Sequence, residues 1–170
     1  MERTIKRMEV NDAEAINTVG CNYRDGRYGF TQDYDKALEL WHRAGELCSA
    51  AAYCSIGFAY LQGRGVEVDK KKAIQYWELA AMGGSIVARH NLGSMEMEAG
   101  NMHRGLKHWI ISVRGGYINS LSSIKVLYSK GHATKDDYTK ALQSYQAYLD
   151  EIKSDQRDKA AAAREEYRYY

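Results

Sequence analysis

The chain has 170 residues, 45% of them hydrophobic and 27% charged, with a net charge of +2. That length is enough to bury roughly 70% of the unfolded surface, and the charge balance gives no reason to expect nucleic acid or acidic lipid as a partner. No apolar run reaches the ~18 residues needed to span a membrane, and the charged opening Met1 to Val10 is not a signal peptide, so the cytoplasm, or the nucleus, is the expected compartment. There is no proline, which suits helices joined by glycine turns.

Residues 1–11 read as a charged helical lead-in, with Ile5 and Met8 its docking residues. Two readings fit it: a helix packed against the first repeat unit, or the exit from a module upstream. Asn11 and Asp12 are N-cap candidates for a first helix that runs through Ala13, Ile16 and Gly20 to about Arg24. GRYGFTQD makes a turn, and Tyr34 to Leu47 a second helix.

The next stretch, Ala52 to Gly84, has the clearest pattern. Ala52, Ile56 and Tyr60 fall on one helical face, and Gly57 interrupts that helix where glycine costs roughly 1 kcal/mol against alanine. Such a cost is borne where another group must come close to the backbone. Asp69 caps the following helix, whose inward face is Ala73, Trp77 and Ala80/Ala81. Gly63 and Gly65 supply the turn between the two helices, and Gly83 and Gly84 close the second. Small residues facing a large ring predict that Trp77 fills the space left by Gly57.

A third pair starts at Ser85, with Asn101 in the capping slot and Gly105 as a second close contact. A fourth runs from Tyr117 to about Lys153 with Thr134 as its cap, and Ser154 is expected to cap a last helix within residues 154–170. Tyr167, Tyr169 and Tyr170 either dock back on the fourth pair or fray.

These segments are copies of one unit. Gly20, Gly57 and Gly93 share a slot; so do Tyr23 and Tyr60, and Lys36–Ala37, Lys72–Ala73 and Lys140–Ala141. Trp41, Trp77 and Trp109 are all the tryptophans in the chain and share another. In the fourth copy Lys125 replaces the glycine and Tyr145 the tryptophan. The stretch SIGFAYLQGRGVEVDKKKAIQYWELAAMGG resembles the pattern ALxLGxxYxxGxGVxxDxxKAxxWYxxAAxxG of the Sel1-like repeat, a relative of the tetratricopeptide repeat. The resemblance covers roughly Asp12 to Asp150. It implies an all-α fold: a right-handed α-solenoid of antiparallel helix pairs, about four repeats at residues 12–48, 49–84, 85–116 and 117–153, with a C-terminal capping helix. Relatives that carry a RING-type zinc finger before their repeats give the upstream-module reading of the lead-in its content.

Reactive chemistry is sparse. GRGV at Gly63–Val66 lies between helices and lacks the lysine–hydroxyl pair of a phosphate loop. His103 and His108 are five apart and do not share a helix face for a metal. Cys21, Cys48 and Cys54 form no CxxC and occupy unrelated slots, which argues for reduced thiols rather than the stapling cysteines of some secreted relatives. The tryptophan slot is a core slot, not an aromatic cage. No catalytic residue, cofactor or metal is expected.

What remains is surface. In tetratricopeptide proteins the first helices line a groove, and carrying that register over gives a partner-binding wall. It comprises Asn17, Cys21 and Arg24; Cys54, Phe58 and Leu61; His90, Ser94 and Met97; and Ser122, Val126 and Ser129. Phe58, Leu61 and Met97 would form its apolar centre, unless Phe58 packs on a neighbouring helix instead. The function this implies is a non-enzymatic scaffold or adaptor, monomeric by default, that holds a protein or peptide in the groove. Two alternatives follow from relatives: the substrate-recognition arm of a ubiquitin-ligase or quality-control complex whose catalytic module lies elsewhere, and, remotely, a hydrolase of the kind associated with secreted bacterial repeat proteins.

Overall fold

The computed structural model describes residues 1–166, and every regular element among them is a helix: α1 (Glu2–Glu9), α2 (Ala13–Asp25), α3 (Tyr34–Glu46), α4 (Ala50–Gln62), α5 (Lys70–Met82), α6 (Ile86–Glu98), α7 (Met102–Arg114), α8 (Ile118–Ser129) and α9 (Lys135–Glu166). The all-α fold is therefore the one the repeats imply. The helices form two compact units, one ending at Met95 and the other beginning at Glu96.

In the first unit α1 rests on α2, α2 pairs with α3, α4 pairs with α5, and α3 contacts α4. Met8 packs against the core of the first pair, as a docked lead-in requires. The helix starts are set by side-chain caps that recur with the repeat. Asp12, Ser49 and Ser85 accept from the backbone N–H of Ala15, Ala52 and Ala88 at 3.0, 3.2 and 3.2 Å. Asp33 and Asp69 accept from Lys36 and Lys72, both at 2.9 Å. Each cap satisfies an amide that the helix itself leaves unpaired. Asn11 is not a cap: it adopts a left-handed conformation, and its side chain accepts from Arg43 on α3.

The shared tyrosine and lysine slots turn out to be one device. The N–H of Asp33 donates to the carbonyl of Tyr23, and that of Asp69 to the carbonyl of Tyr60, both at 2.9 Å. Lys36 then lies over the Tyr23 ring and Lys72 over the Tyr60 ring, both at 5.1 Å. Each tyrosine thus ties down the end of its loop through its backbone and the start of the next helix through a cation–π contact.

The glycine–tryptophan expectation holds. Trp41 and Trp77 are 2% and 1% exposed. A Cβ on Gly57 would lie 2.5 Å from Trp77 Nε1, and one on Gly20 would lie 2.6 Å from Trp41 Nε1. The indole of Trp77 lies directly on the α4 backbone and donates its Nε1–H to the carbonyl of Cys54 at 3.2 Å. The ends of α3 and α5 share a second feature. Ser49 N–H bonds Ala44 O at 3.0 Å and Ser85 N–H bonds Ala80 O at 2.9 Å, with the preceding residue left-handed in each case. That residue is Gly84 at φ +87° but Cys48 at φ +62°.

In the second unit α7 packs on α8 and α9 around Leu106, Trp109, Val113, Leu121, Ile124 and Ala141. Here the structure departs from the repeat pattern. Asn101 precedes α7 but does not cap it; its amide donates to Glu96 Oε2 at 2.7 Å. Lys125, in the glycine slot, is exposed, so the fourth copy lacks the tight backbone contact. Tyr145 replaces the tryptophan as a partly buried ring on the core. Thr134 and Asp137 do form a capping pair: Asp137 N–H donates to Thr134 Oγ1 at 3.1 Å, and Thr134 N–H to Asp137 Oδ2 at 3.0 Å. Ser154 does not start a new helix. α9 runs unbroken from Lys135 to Glu166, because Ser154 has good helix formers on both sides and no glycine or proline precedes it. The separate capping helix expected over residues 154–170 is therefore not formed; its residues up to Glu166 continue α9. Tyr167, Tyr169 and Tyr170 lie outside the described residues.

Gly57→Ala should destabilise the protein by about 1–3 kcal/mol as overpacking against Trp77, lowering the thermal midpoint by several degrees. Cys48→Gly should do the reverse, by roughly 0.5–1 kcal/mol, because it removes left-handed strain without touching a contact. Paired thermal melts check both, and an unchanged midpoint for Gly57→Ala would contradict the close approach. Hydrogen bonds from Thr134 hold the Asp137 carboxyl below the usual aspartate value of 3.8. A depressed folded-state pKa adds stability above the unfolded value, lost as pH falls through the folded one. Thr134→Ala should therefore cost about 1 kcal/mol near neutrality and less at pH 2, as denaturant titrations at the two pH values would show.

Candidate functional site

The first unit contains a crevice of ≈ 240 Å³ between the first two helix pairs. Its floor is the side chain of Trp41 with Phe58 and Ala59, and its rim carries Arg24, Tyr34 and Arg64. Ser55 and Gln62 complete the wall. The α4 contribution is Ser55, Phe58, Ala59 and Gln62, at i, i+3, i+4 and i+7, which is one helical stripe. α3 supplies the tryptophan from below and α2 supplies Arg24 from the side.

The repeat explains why this crevice is open. Cys21 and Phe58 share the slot after the glycine. In the second copy the Phe58 ring stands edge-on to Trp77, with centroids 5.4 Å apart and planes at 75°. In the first copy the same slot holds the smaller Cys21, and the crevice lies beside it, although Trp41 itself stays only 2% exposed. The two readings of Phe58 are therefore both part of the structure: it packs on Trp77 and it lines the crevice over Trp41.

The rim is electropositive. Arg24 donates to both oxygens of Asp25, at 2.7 and 2.9 Å, and Arg27 approaches the same carboxylate at 3.8 Å. The bond from Arg24, with the charges of Arg27 and Arg64 behind it, holds the Asp25 carboxyl below the usual aspartate range, against the opposing effect of burial. Arg64 itself is exposed and lies over the Tyr34 ring at 5.7 Å.

The second unit has a counterpart of ≈ 280 Å³ lined by Trp109, Ser122, Ser123, Val126 and Leu127. Trp109, Ser123 and Val126 each stand 68 residues after Trp41, Ser55 and Phe58, so this is the same crevice in a later copy. No arginine lines it.

The other residues of the anticipated wall are placed differently. Cys54 is 7% exposed, in the core with Trp77, and does not form a surface wall, because its slot lies at the border between the inner and outer faces of α4. Burial pushes its thiol up to about 11. Leu61 is partly buried against the same core, and Met97 against the Trp109 core, so much of their apolar surface is used in packing. Asn17 is half-buried, with its Oδ1 enclosed and unbonded. His90 is half-buried, which lowers its pKa by desolvation, and its carbonyl accepts from Ser94 Oγ at 3.2 Å. Of the expected residues, the structure brings Arg24 and Phe58 into one crevice and Ser122 and Val126 into another.

Tyr34, Trp41, Ser55, Gln62 and Arg64 are crevice residues that the sequence did not mark. Ser55 and Gln62 complete a helical stripe with Phe58, which is a signal in hindsight; Arg64 sits between two turn glycines and reads only as loop. Among the described residues no cluster of three or more His, Cys, Asp or Glu is placed to hold a metal ion, and no helix is long and apolar enough to cross a membrane. GRGV is packed: a Cβ on Gly65 would meet Leu38 Cδ1 at 2.9 Å.

Residues 13–47 and 50–85 each match the family model for the Sel1 repeat. The crystal structure of a Sel1 repeat protein from Oxalobacter formigenes is similar at a TM-score of 0.69 and 28% identity, over 89% of this chain and 62% of that one. That of c5321, a protective antigen present in uropathogenic Escherichia coli strains and displaying an SLR fold, is similar at 0.72 and 25% identity, over 88% of this chain and 33% of that one. Among curated proteins, the ERAD-associated E3 ubiquitin-protein ligase component HRD3B of Arabidopsis thaliana is 40% identical over 73 residues, or 41% of this chain. The match takes in only 12% of that protein, so the chain spans a small part of its curated relative.

The thiols give a direct check on these placements. Cys48 is exposed and Cys54 is buried with a raised pKa. In the folded protein at pH 7.5, iodoacetamide should modify Cys48 within minutes and leave Cys54 unmodified until denaturant is added, as peptide mass spectrometry would report. Equal labelling of both in the native state would return Cys54 to the surface.

Proposed function

We propose that this Sel1-repeat protein is a non-catalytic interaction module that holds a segment of another protein against its first helices. The observation that carries the reading is the crevice over Trp41, with an aromatic floor and a charged rim on a rigid helical frame. Open apolar surface framed by polar groups is the usual composition of a recognition site. Arg24 and Phe58, with Asn17 on the same helix as Arg24, form the wall in the first unit; Ser122 and Val126 form it in the second. His90, Ser94 and the remaining exposed part of Leu61 extend it in the first unit, and Met97 belongs to the wall of the second. Cys54 takes no part, being buried.

A second reading is favoured by the relation to HRD3B: the chain serves as the substrate-recognition arm of a ubiquitin-ligase complex whose catalytic subunit is another protein. The two readings share the binding surface and differ in the company it keeps.

Affinity capture from the native cell extract, followed by titration of the captured partner, tests both. Phe58→Ala should weaken binding by about 30-fold, the ~2 kcal/mol typical of a central anchor, in protein shown by circular dichroism to be folded. Hydrogen exchange should show protection by the partner on α2 and α4. Protection confined to α5 or α9 would move the site elsewhere. Recovery of ubiquitin-ligase subunits with the partner would select the second reading, and their consistent absence would select the first.

A further inference from the structure

We infer that the crevice over Trp41 receives one aromatic or large aliphatic side chain from a partner segment that is acidic on either side of it. The inference rests on the reading of the chain as a module that holds a protein segment, and it specifies that segment's chemistry.

Size comes first. The crevice measures ≈ 240 Å³, below the ~300 Å³ at which pockets for whole small molecules begin, and suits a single side chain. Its floor is built from Trp41, Phe58 and Ala59; Trp41 and Ala59 are almost wholly buried, so the half-buried Phe58 ring is the apolar surface that calls for an apolar occupant. Both hydroxyls in the lining are engaged: Ser55 donates to the Ala51 carbonyl, and Tyr34 accepts from Gln32 Nε2, each at 3.1 Å.

Charge decides what flanks that occupant. Three guanidiniums, those of Arg24, Arg27 and Arg64, act on the single carboxylate of Asp25. Arg24 is committed to it in a two-pronged pair. Arg64 is not: its plane lies over Tyr34, which leaves its N–H edge to water. A carboxylate arriving beside the crevice gains a charge-assisted bond there, whereas a lysine or arginine meets charge of its own sign. The crevice over Trp109 has no arginine in its lining, so the acidic preference belongs to the first unit alone.

The chain supplies its own blocking variant. Phe58 covers the edge of Trp77; Cys21→Phe places the same ring in the same slot over Trp41. The test pans a random peptide library displayed on phage against the full chain, then titrates synthetic copies of the enriched peptides against the parent, Cys21→Phe and Arg64→Glu. Enriched peptides should carry Phe, Trp, Tyr or Leu within two residues of Asp or Glu. Cys21→Phe should weaken them at least ~10-fold, with Ser55→Phe as the substitute if Cys21→Phe does not fold. Arg64→Glu should weaken them ~10-fold at low salt and less at high salt, and should leave Asn- and Gln-substituted versions unchanged. Enriched peptides that are basic, lack a large apolar residue, or bind folded Cys21→Phe as well as the parent would overturn this inference while leaving the interaction module standing. Failure of the parent to enrich any peptide would count against the module itself.

Discussion

The contact on which the repeat depends is an indole laid flat on a helix backbone. Trp77 reaches Gly57 so closely that no side chain fits there, and its Nε1–H closes on the Cys54 carbonyl. That bond goes to a carbonyl inside a helix, using its second lone pair while the helical ladder stays intact. The arrangement sets the distance between α4 and α5, buries the largest ring in the pair, and leaves its only polar atom satisfied. Trp41 repeats the close approach to Gly20, but its buried Nε1 has no hydrogen-bond partner. Because the interior faces of α2 and α4 are committed in this way, variation there is confined to the residues just beside them.

The copies differ in how they handle that boundary. The second copy sets Phe58 against its tryptophan; the first has Cys21 in that slot and a crevice with arginines at its rim, though Trp41 is nearly as buried as Trp77. The fourth dispenses with the glycine. Lys125 faces out, Tyr145 covers the core in place of an indole, and Tyr128 stacks on Tyr138 at 5.3 Å where earlier copies set a lysine over the tyrosine. Lys140, in the lysine slot, pairs with Asp136 at 2.6 Å instead. The reciprocal bonds of Thr134 and Asp137 then supply at the start of α9 what the aspartate caps supply earlier.

The fold was legible because each element carries redundant signals. Gly57 opposite Trp77, Asp69 as cap and the left-handed Gly63 all mark the same helix pair, and their recurrence removes ambiguity. Boundaries with a single signal failed. Ser154 is one capping residue without a preceding breaker, and propensity carried the helix through it. Asn101 holds the right slot, but Glu96 competes for its side chain. The site was legible only in part, for a geometric reason. Periodicity says which residues share a face of one helix, and it picked out Arg24 and Phe58, which both line the crevice. A crevice between helices from successive copies also draws on Trp41, a core residue, and on Arg64, a turn residue. No single-helix pattern unites those. The assignment of Cys54 to the wall failed because 3.6-residue periodicity leaves the border between inner and outer faces uncertain by one position.

The side-by-side placement of a fixed demand and a free choice has a bearing on descent. Gly20 and Gly57 answer to the scaffold; Cys21 and Phe58, one residue later, answer to whatever lies outside it. When a repeat is duplicated, the new copy inherits the scaffold intact, together with an adjoining position whose side chain opens or closes a pocket. A lineage can then gain or lose a recognition site by changing one codon, with no helix to redesign. Where the tight helix contact is kept, the crevice beside it can be opened or closed without any change of fold.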